Sequence, residues 1–454
     1  MFCTEINGRL SHSMSMVLYS ESRITSWLRR TNGFWFAVYA TLMAFSLYTC
    51  VYAFRKTFAV ATFDNIAYAG ISYKVWLVTF QVIGYACSKF VGIKVISELK
   101  AKSRATGILI TTAVAGISWL FFGLVPRPYN IIFLFTNGFP LGLVWGMVFG
   151  YLEGRTSTEV LGAGLSVSFI FSAGFAKSVG GFIIRDWGVS ETWMPFVTSC
   201  VFFIPLLVFM WLLDKLPPPN LKDEAMRTKR QPMNAEERKM FVGGFWPGIV
   251  LFTSAYMLLT IFRDFRDNFS ADVWKSLGYG NSPEIFTTTE IPVSIAVLIV
   301  MGSLMIIKNN KLALMINHVI ILIGMISIGI STYLFQQQMI SPTLWMILIG
   351  LGLYLGYVPF NSIFFDRLLA AFKYVGTVGF LIYIADSFGY LGSVGVMFFK
   401  EFGHAELSWL EFFISSGYII SVFGSLLIAG SMLYFHIKYR QSSAVPFSAS
   451  ISTK

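Results

Sequence analysis

The sequence predicts an all-α membrane protein with twelve transmembrane helices, arranged as two pseudo-symmetric bundles of six. Three observations lead to this fold class. The 454 residues are 56% hydrophobic and only 13% charged, whereas a soluble domain carries about 25% charged residues. Many apolar runs reach the roughly 20 residues that cross a bilayer. One long polar segment divides these runs into two equal sets.

The apolar runs give the predicted spans in chain order. The first bundle is predicted to contain spans at 34–61, 74–97, 104–125, 129–152, 158–184 and 192–213. The second bundle is predicted to contain spans at 244–269, 284–307, 312–335, 342–364, 374–399 and 408–437. The breaks between them are polar or charged, as in "ELKAKSR" from residue 98 and "QQQMISP" from residue 336.

Three predicted segments flank or join the bundles. Residues 1–33 form an N-terminal tail, 214–243 form a linker and 438–454 form a C-terminal tail, which leaves 34–213 and 244–437 as the bundles. The loops and tails on the side of the termini hold 23 of the 34 Lys and Arg residues, and the opposite loops hold five. Because basic residues are retained in cytosolic loops, both tails and the linker are predicted to be cytosolic.

Several function classes are excluded by what the sequence lacks. The four cysteines are far apart and show no metal-ligand spacing, so no metal and no cofactor are predicted. The sequence contains no nucleophile–base motif, no HExxH and no P-loop, which argues against an enzyme or an ATP-driven pump. The net charge of +11 follows membrane topology, so the predicted partners are the bilayer and a small substrate, not nucleic acid. The chain is predicted to be a monomer.

Apart from the basic residues counted with the loops above, six lie inside predicted spans and need a physical reason to be there. A charge at mid-bilayer costs about 2.5–3.5 kcal/mol on the translocon scale, so such residues usually face a cavity or a partner. The six are Arg55, Lys56, Lys89, Lys177, Arg263 and Arg266.

Helical spacing places several of these charges on narrow polar stripes. Tyr48, Tyr52 and Arg55 follow one another at i, i+4 and i+7, and therefore share one helix face. The same spacing relates Gln81, Tyr85 and Lys89 in the second span. In the seventh span the stripe is Arg263, Arg266 and Asp267, and in the eleventh it is Tyr383, Asp386 and Tyr390.

The two halves carry a related pattern in their first helices. The first span contains "AFRKTF" and the seventh contains "IFRDFR", with the Phe-Arg pair at a similar depth. Transporters are often built from such internal repeats, with the binding site near the midplane between them. Because Arg binds phosphate or carboxylate through two parallel hydrogen bonds, the stripes predict an anion site between the halves.

Alternative roles are open for several residues of this site. Lys56 is predicted to extend toward the bilayer surface, and Arg266 belongs either to the anion site or to a self-neutralising cluster in "RDFRDNF". Lys177 is predicted to pair with Asp386 or Glu290, or to face the cavity. The acidic candidates, as counter-ions or proton carriers, are Glu290, Asp386 and Asp267.

Three motifs resemble those of a known transporter family. They are "YAFRKTFAVA" at 52–61, "YACSKF" at 85–90 and "KYVGTVGFLIYIADSFGYLGS" at 373–393. The chain resembles the major facilitator superfamily and, within it, the organophosphate:phosphate antiporters. Two features depart from that pattern. The loop "GIKVISELKAKSR" at 92–104 has no Asp-Arg pair, and the fifth span has Lys177 but no histidine.

The resemblance implies specific roles for matching residues. The family binds phosphate through one Arg of the first helix, which corresponds to Arg55, and one of the seventh, which corresponds to Arg263 or Arg266. The family's second-helix Lys corresponds to Lys89, and its acidic residue before Ile-Pro resembles Glu290. The implied location is a bacterial inner membrane.

The predicted function is secondary active transport of a small anion, an organic phosphate or phosphate, by rocking of the two bundles. Two alternatives use the same features. One is a transporter-like sensor of a phosphorylated ligand, and the other is a proton-coupled exporter that uses Asp264, Asp267 or Asp386.

Overall fold

The computed structural model describes residues 22–153, 155, 157–219, 223, 235–372, 378–403 and 407–444. The structure is almost entirely helical. The first half contains a short helix α1 (Arg23–Arg30) followed by α2 (Gly33–Lys56), α3 (Tyr73–Glu98), α4 (Arg104–Leu124), α5 (Ile132–Leu152), α6 (Thr158–Trp187) and α7 (Met194–Asp214).

The second half begins with the 42-residue helix α8 (Ala235–Ser276). It continues with α9 (Glu284–Met305), α10 (Asn310–Gln336), α11 (Pro342–Ser362), the short α12 (Phe364–Ala371) and α13 (Val378–Gly403). The last predicted span is divided into α14 (Trp409–Ile419), a π-helical turn (Ile420–Gly424) and α15 (Ser425–Ala444).

Side-chain caps define where several helices begin. The side chains of Asn32, Asn309 and Ser341 accept hydrogen bonds from backbone N–H groups in the first turns of α2, α10 and α11. Ser408 and Glu411 form a reciprocal capping box at the start of α14. These contacts satisfy N–H groups that have no partner within the helix.

Length and composition identify a multi-pass integral membrane protein. Within the described residues, eleven helical segments are long and apolar enough to cross a membrane. They correspond to eleven of the twelve predicted spans, and α13 occupies the place of the remaining one, 374–399. The predicted tail contains α1, and the last part of the predicted linker is already helical because α8 begins at Ala235.

The same packing pattern occurs in both halves. In the first half α5 packs against α3 and α4, and α2 packs against α6. In the second half α11 packs against α9 and α10, and α8 packs against α13. These are equivalent helices in chain order, which supports the predicted internal repeat. The two halves meet where α6 packs against α9 and where α3 packs against α13.

A small β-hairpin connects α2 to α3 at the end of the bundles away from α1. Ala67–Tyr68 pairs antiparallel with Ile71–Ser72. Both central residues of the turn, Ala69 and Gly70, have positive φ angles of 53° and 75°, as a type I′ hairpin turn requires. The indole of Trp76 donates to the carbonyl of Tyr68 at 3.0 Å, which fixes the hairpin on α3.

The hydrophobic cores of the two halves are continuous at the end of the molecule that carries the hairpin. One buried cluster contains residues of both halves, including Phe58, Tyr73, Phe269 and Phe286. A second cluster belongs to the first half alone and includes Leu28, Leu152 and Leu213. The halves therefore share an apolar core at the end that carries the hairpin, while the first half has a core of its own toward α1.

Candidate functional site

The predicted site residues all lie within described helices, and most are buried between the halves. Tyr48, Tyr52 and Arg55 are on α2, Tyr85 and Lys89 on α3, Lys177 on α6, Arg263, Arg266 and Asp267 on α8, Glu290 on α9, and Asp386 on α13. Lys89 is half-buried, and the Arg263 side chain is 15% exposed. The side chain of Tyr383, predicted on the α13 stripe, lies outside the described part of the chain.

Arg55 is buried, yet its guanidinium has no carboxylate partner among the described residues. Its Cζ lies 3.6 Å from the centroid of the Tyr85 ring, a cation–π arrangement. Its Nε is buried without a hydrogen-bond partner within the described structure. The Nζ atom of Lys89 lies 4.8 Å from the same ring. The positive charge of Arg55 is therefore held against aromatic rings, and it forms no ion pair among the described residues.

The backbone around Arg55 is fixed by three side chains, of which only Gln81 lies on a predicted polar stripe. Because α2 ends at Lys56 and passes into a 3₁₀ turn, carbonyl groups of its last turn need other donors. The amide of Gln81 donates to the Arg55 carbonyl at 2.6 Å. Trp119 and Asn137 donate to the Phe54 carbonyl at 2.6 and 3.1 Å. Only a long-range contact reveals this role, so sequence spacing did not indicate Trp119 or Asn137.

Arg263 occupies the corresponding place in the second half. Its Cζ lies 4.4 Å from the centroid of the Tyr357 ring, and its Nη1 donates to the Tyr357 hydroxyl. Unlike Arg55, it is neutralised, because Nη2 and Nε contact Oδ1 of Asp264 at 2.6 and 3.1 Å. The other carboxylate oxygen of Asp264 accepts from Ser393 on α13 at 2.8 Å.

Asp386 belongs to a tyrosine cluster in the second half. Its Oδ1 accepts a hydrogen bond from Tyr256 at 2.6 Å, and the Tyr256 hydroxyl contacts that of Tyr357 at 3.1 Å. The amide of Asn361 contacts the Tyr256 hydroxyl at 3.4 Å. This cluster adjoins Arg263 through Tyr357.

Arg266 forms an ion pair with Glu290 at 2.6 Å, and its Nη2 reaches the Met346 carbonyl at 3.3 Å. Both side chains are buried, at 5% and 8% exposure. Arg266 is thus neutralised inside the second half, but by Glu290 and not by an aspartate of "RDFRDNF", as the self-neutralising alternative required. Arg263 is the better counterpart of Arg55.

Asp267 on α8 contacts three side chains of the first half, and two of these contacts differ from the predictions. Lys177 donates to Oδ1 of Asp267 at 3.1 Å, so its ion-pair partner is neither Asp386 nor Glu290. Lys56 does not extend to the bilayer surface; its side chain is 2% exposed and lies 3.4 Å from Oδ2 of Asp267. It also donates to Asn268 at 2.7 Å, because this face of α2 abuts α8 and not lipid. Tyr52 completes the set with a 3.0 Å hydrogen bond to Oδ2.

The charges of the central region do not balance. The central region contains the six basic residues already named and four acidic ones, which are Asp264, Asp267, Glu290 and Asp386. With all groups ionised the surplus is two positive charges. The described residues contain no cluster of His, Cys, Asp and Glu suited to a metal ion. The arrangement is therefore suited to an anion.

More ion pairs close the end of the bundles that carries the hairpin. Lys74 binds Asp272 at 2.6 Å, and Lys275 pairs with Asp64. The hydrogen bond from Lys275 lowers the pKa of the Asp64 carboxyl group, which lies in the loop after α2. Together with the Asp267 contacts, these pairs hold the first half against the second on this side of the central charges.

The profile of a family described as "Family of unknown function (DUF5690)" matches residues 57–438. The chain belongs to this family. No curated protein sequence matches it.

Solved structures with the same fold are transporters of the major facilitator superfamily. This chain is similar to a D-xylose–proton symporter, with a TM-score of 0.58 and 18% sequence identity. The match covers 90% of this chain and 97% of the symporter chain. A bacterial homologue of the human drug peptide transporters PepT1 and PepT2 gives a TM-score of 0.57 and 12% identity, with 89% and 98% coverage.

A second structure of a proton:xylose symporter, bound to 6-bromo-6-deoxy-D-glucose, gives a TM-score of 0.56 and 15% identity, with 87% and 94% coverage. At these identities the likeness establishes the fold. The family member therefore has the major facilitator fold, and the predicted fold class is confirmed.

Proposed function

We propose that this protein is a secondary active transporter of a small anion, bound between the two halves. The observation that carries the proposal is the buried guanidinium of Arg55, which has no acidic partner among the described residues. The other arginines of the central region, Arg263 and Arg266, each have one. An isolated buried charge is costly, so an anionic ligand that neutralises Arg55 would gain the interaction that the protein leaves unmade.

The charge surplus favours an organic phosphate or phosphate as the substrate. A phosphate monoester carries close to two negative charges at pH 7 and offers three acceptor oxygens. The central region has a surplus of two positive charges, and the forked guanidinium binds phosphate through two parallel hydrogen bonds. The resemblance of the motifs at 52–61 and 85–90 to organophosphate:phosphate antiporters supports exchange as the mode of transport.

The proposed mechanism is alternating access by rocking of the two halves. The named ion pairs between the halves lie on the hairpin side of the site, and the first half keeps a separate apolar core toward α1. Both facts support a state open toward the side of the termini. With the termini cytosolic in a bacterial inner membrane, that state faces the cytosol. Substrate neutralisation of Arg55 would then lower the cost of bringing the halves together around it.

The proposal is tested by binding and counterflow in proteoliposomes with inorganic phosphate, methyl phosphate and acetate. We expect saturable phosphate exchange by the wild type, a loss of at least about tenfold in affinity in Arg55→Ala, and partial recovery in Arg55→Lys. Arg30→Ala is the matched control, because Arg30 is exposed at the end of α1. Unchanged phosphate exchange in Arg55→Ala would overturn the proposal.

The same assay separates the alternatives. A sensor would bind phosphate without counterflow in sealed vesicles. A proton-coupled exporter that uses Asp264, Asp267 or Asp386 would require a pH gradient, and phosphate would not compete with its substrate.

A further inference from the structure

Asp264 occupies the side of Arg263 that an anionic substrate would use. The Nε and Nη2 groups of Arg263, which form one edge of the planar fork, both point at Oδ1 of Asp264. Side chains at adjacent helix positions do not normally face each other, so this contact between consecutive residues is unusual. The edge that would bind a carboxylate or phosphate with two hydrogen bonds is thus taken by the protein's own carboxylate.

The contact is built into the fold and is not a loose surface pair. The Arg263 and Asp264 side chains are 15% and 7% exposed. Ser393 on α13 donates to Oδ2 of Asp264 at 2.8 Å, while Tyr357 on α11 accepts from Nη1 of Arg263. Two other helices therefore hold the acid and the guanidinium in register.

Arg55 and Arg263 differ in whether a carboxylate contacts the guanidinium. Each guanidinium lies over a tyrosine ring of its own half, at 3.6 Å for Arg55 and 4.4 Å for Arg263. Only Arg263 of the two has a carboxylate against it among the described residues. A ligand that bridges the halves would contact Arg55, which has no carboxylate partner among the described residues, and Arg263, which is already paired with Asp264.

We propose that Asp264 is a specificity-determining residue, which the ligand must displace from Arg263. This inference rests on the proposed function. A monoanionic carboxylate has the same charge and the same two oxygens as Asp264, so replacing one by the other gains nothing at Arg263. A phosphate dianion brings a second charge and a third oxygen. Asp264 thereby selects dianionic phosphates over carboxylates.

The test compares the dissociation constants of methyl phosphate and acetate for purified full-length protein. We expect the wild type to favour methyl phosphate, and Asp264→Asn to reduce this preference by about tenfold, mainly through tighter binding of acetate. Asp264→Glu keeps the charge and should retain the preference. Asp186→Asn is the control, because Arg185 and Asp186 are also adjacent in a helix and paired, but exposed at 41% and 48%.

The outcomes separate this inference from the proposed function. If the wild type binds phosphate, Arg55→Ala does not, and Asp264→Asn leaves the preference unchanged or weakens both ligands equally, the inference alone fails. If the wild type and Arg55→Ala behave alike, the proposed function fails and takes the inference with it. If Asp264→Asn does not fold, Ser393→Ala replaces it. We expect Ser393→Ala to reduce the preference in the same direction by a smaller factor, and an unchanged preference in that variant would also overturn the inference.

Discussion

At the scale of single residues, helical spacing found the charged positions but not their partners. Tyr52 and Arg55 lie on one face of α2 as predicted, yet Tyr52 donates to Asp267 whereas Arg55 lies over Tyr85. The pairing of Lys177 with Asp267 joins residues 90 positions apart. It depends on how α6 and α8 are rotated toward each other. A single sequence indicates which residues share a helix face, but only the packed structure shows which helix lies against that face.

Tyr85 offers a prediction at this scale. The Tyr85 ring supports the guanidinium of Arg55 at 3.6 Å, and a cation–π contact is worth about 0.5–2 kcal/mol. We expect Tyr85→Leu to weaken phosphate binding by about two- to thirtyfold, since Arg55 loses the ring that positions it. Tyr85→Phe keeps the ring and should bind within about threefold of the wild type.

Binding is measured by calorimetry on purified protein, with Tyr129→Leu as the control because Tyr129 is 75% exposed. Equal losses in Tyr85→Phe and Tyr85→Leu would show that the hydroxyl matters and the ring face does not.

At the scale of the elements, hydropathy located the helices well because the bilayer sets their length. The predicted span 104–125 is α4 at Arg104–Leu124, and 192–213 is α7 at Met194–Asp214. Hydropathy did not reveal α1, the hairpin at 67–72 or the start of α8 at Ala235. These segments are polar or short, so their structure depends on caps, turn geometry and contacts, not on transfer to lipid.

Gly174 gives the prediction at this scale. A Cβ atom at Gly174 on α6 would collide with the Phe286 carbonyl and approach Cγ of Glu290 to 2.7 Å, so α6 and α9 could not remain in contact. Overpacking of this kind costs about 1–3 kcal/mol. We therefore expect Gly174→Ala to lower the thermal unfolding midpoint by about 1–3 °C.

The control is Gly302→Ala on α9, where a Cβ meets nothing within 4 Å. Alanine is the better helix former by about 1 kcal/mol, so this variant should be as stable as the wild type or more so. Both are compared by intrinsic fluorescence during heating in detergent. If Gly174→Ala and Gly302→Ala have the same thermal unfolding midpoint, α6 and α9 do not pack as closely as described.

At the scale of the whole molecule, transport requires the halves to separate where they now touch. Ser178 on α6 and Thr287 on α9 lie on opposite halves with their side-chain oxygens 2.6 Å apart. Ser178 also donates to the Pro283 carbonyl at 2.7 Å. Under the proposed alternating access, this contact must break in every cycle.

A disulfide between Ser178→Cys and Thr287→Cys should therefore stop transport. In a background without the native cysteines, we expect oxidation to abolish phosphate exchange and a reductant to restore it. The control pair is Ser118→Cys and Thr136→Cys, whose side-chain oxygens are 3.0 Å apart on α4 and α5 of the same half. Exchange that continues with the 178–287 bond fully formed would argue against rocking of the halves.

Among the described residues, four of the five ion pairs between the halves have the cation on the first half. Lys56, Lys74, Lys177 and Arg185 are cations of the first half, and their carboxylate partners Asp267, Asp272 and Glu284 belong to the second. The exposed pair of Lys275 with Asp64 runs the other way. Two copies of the first half would therefore place like charges against each other, as would two copies of the second. The two bundles have the same architecture, but this charge asymmetry favours the pairing of unlike halves over the pairing of like halves.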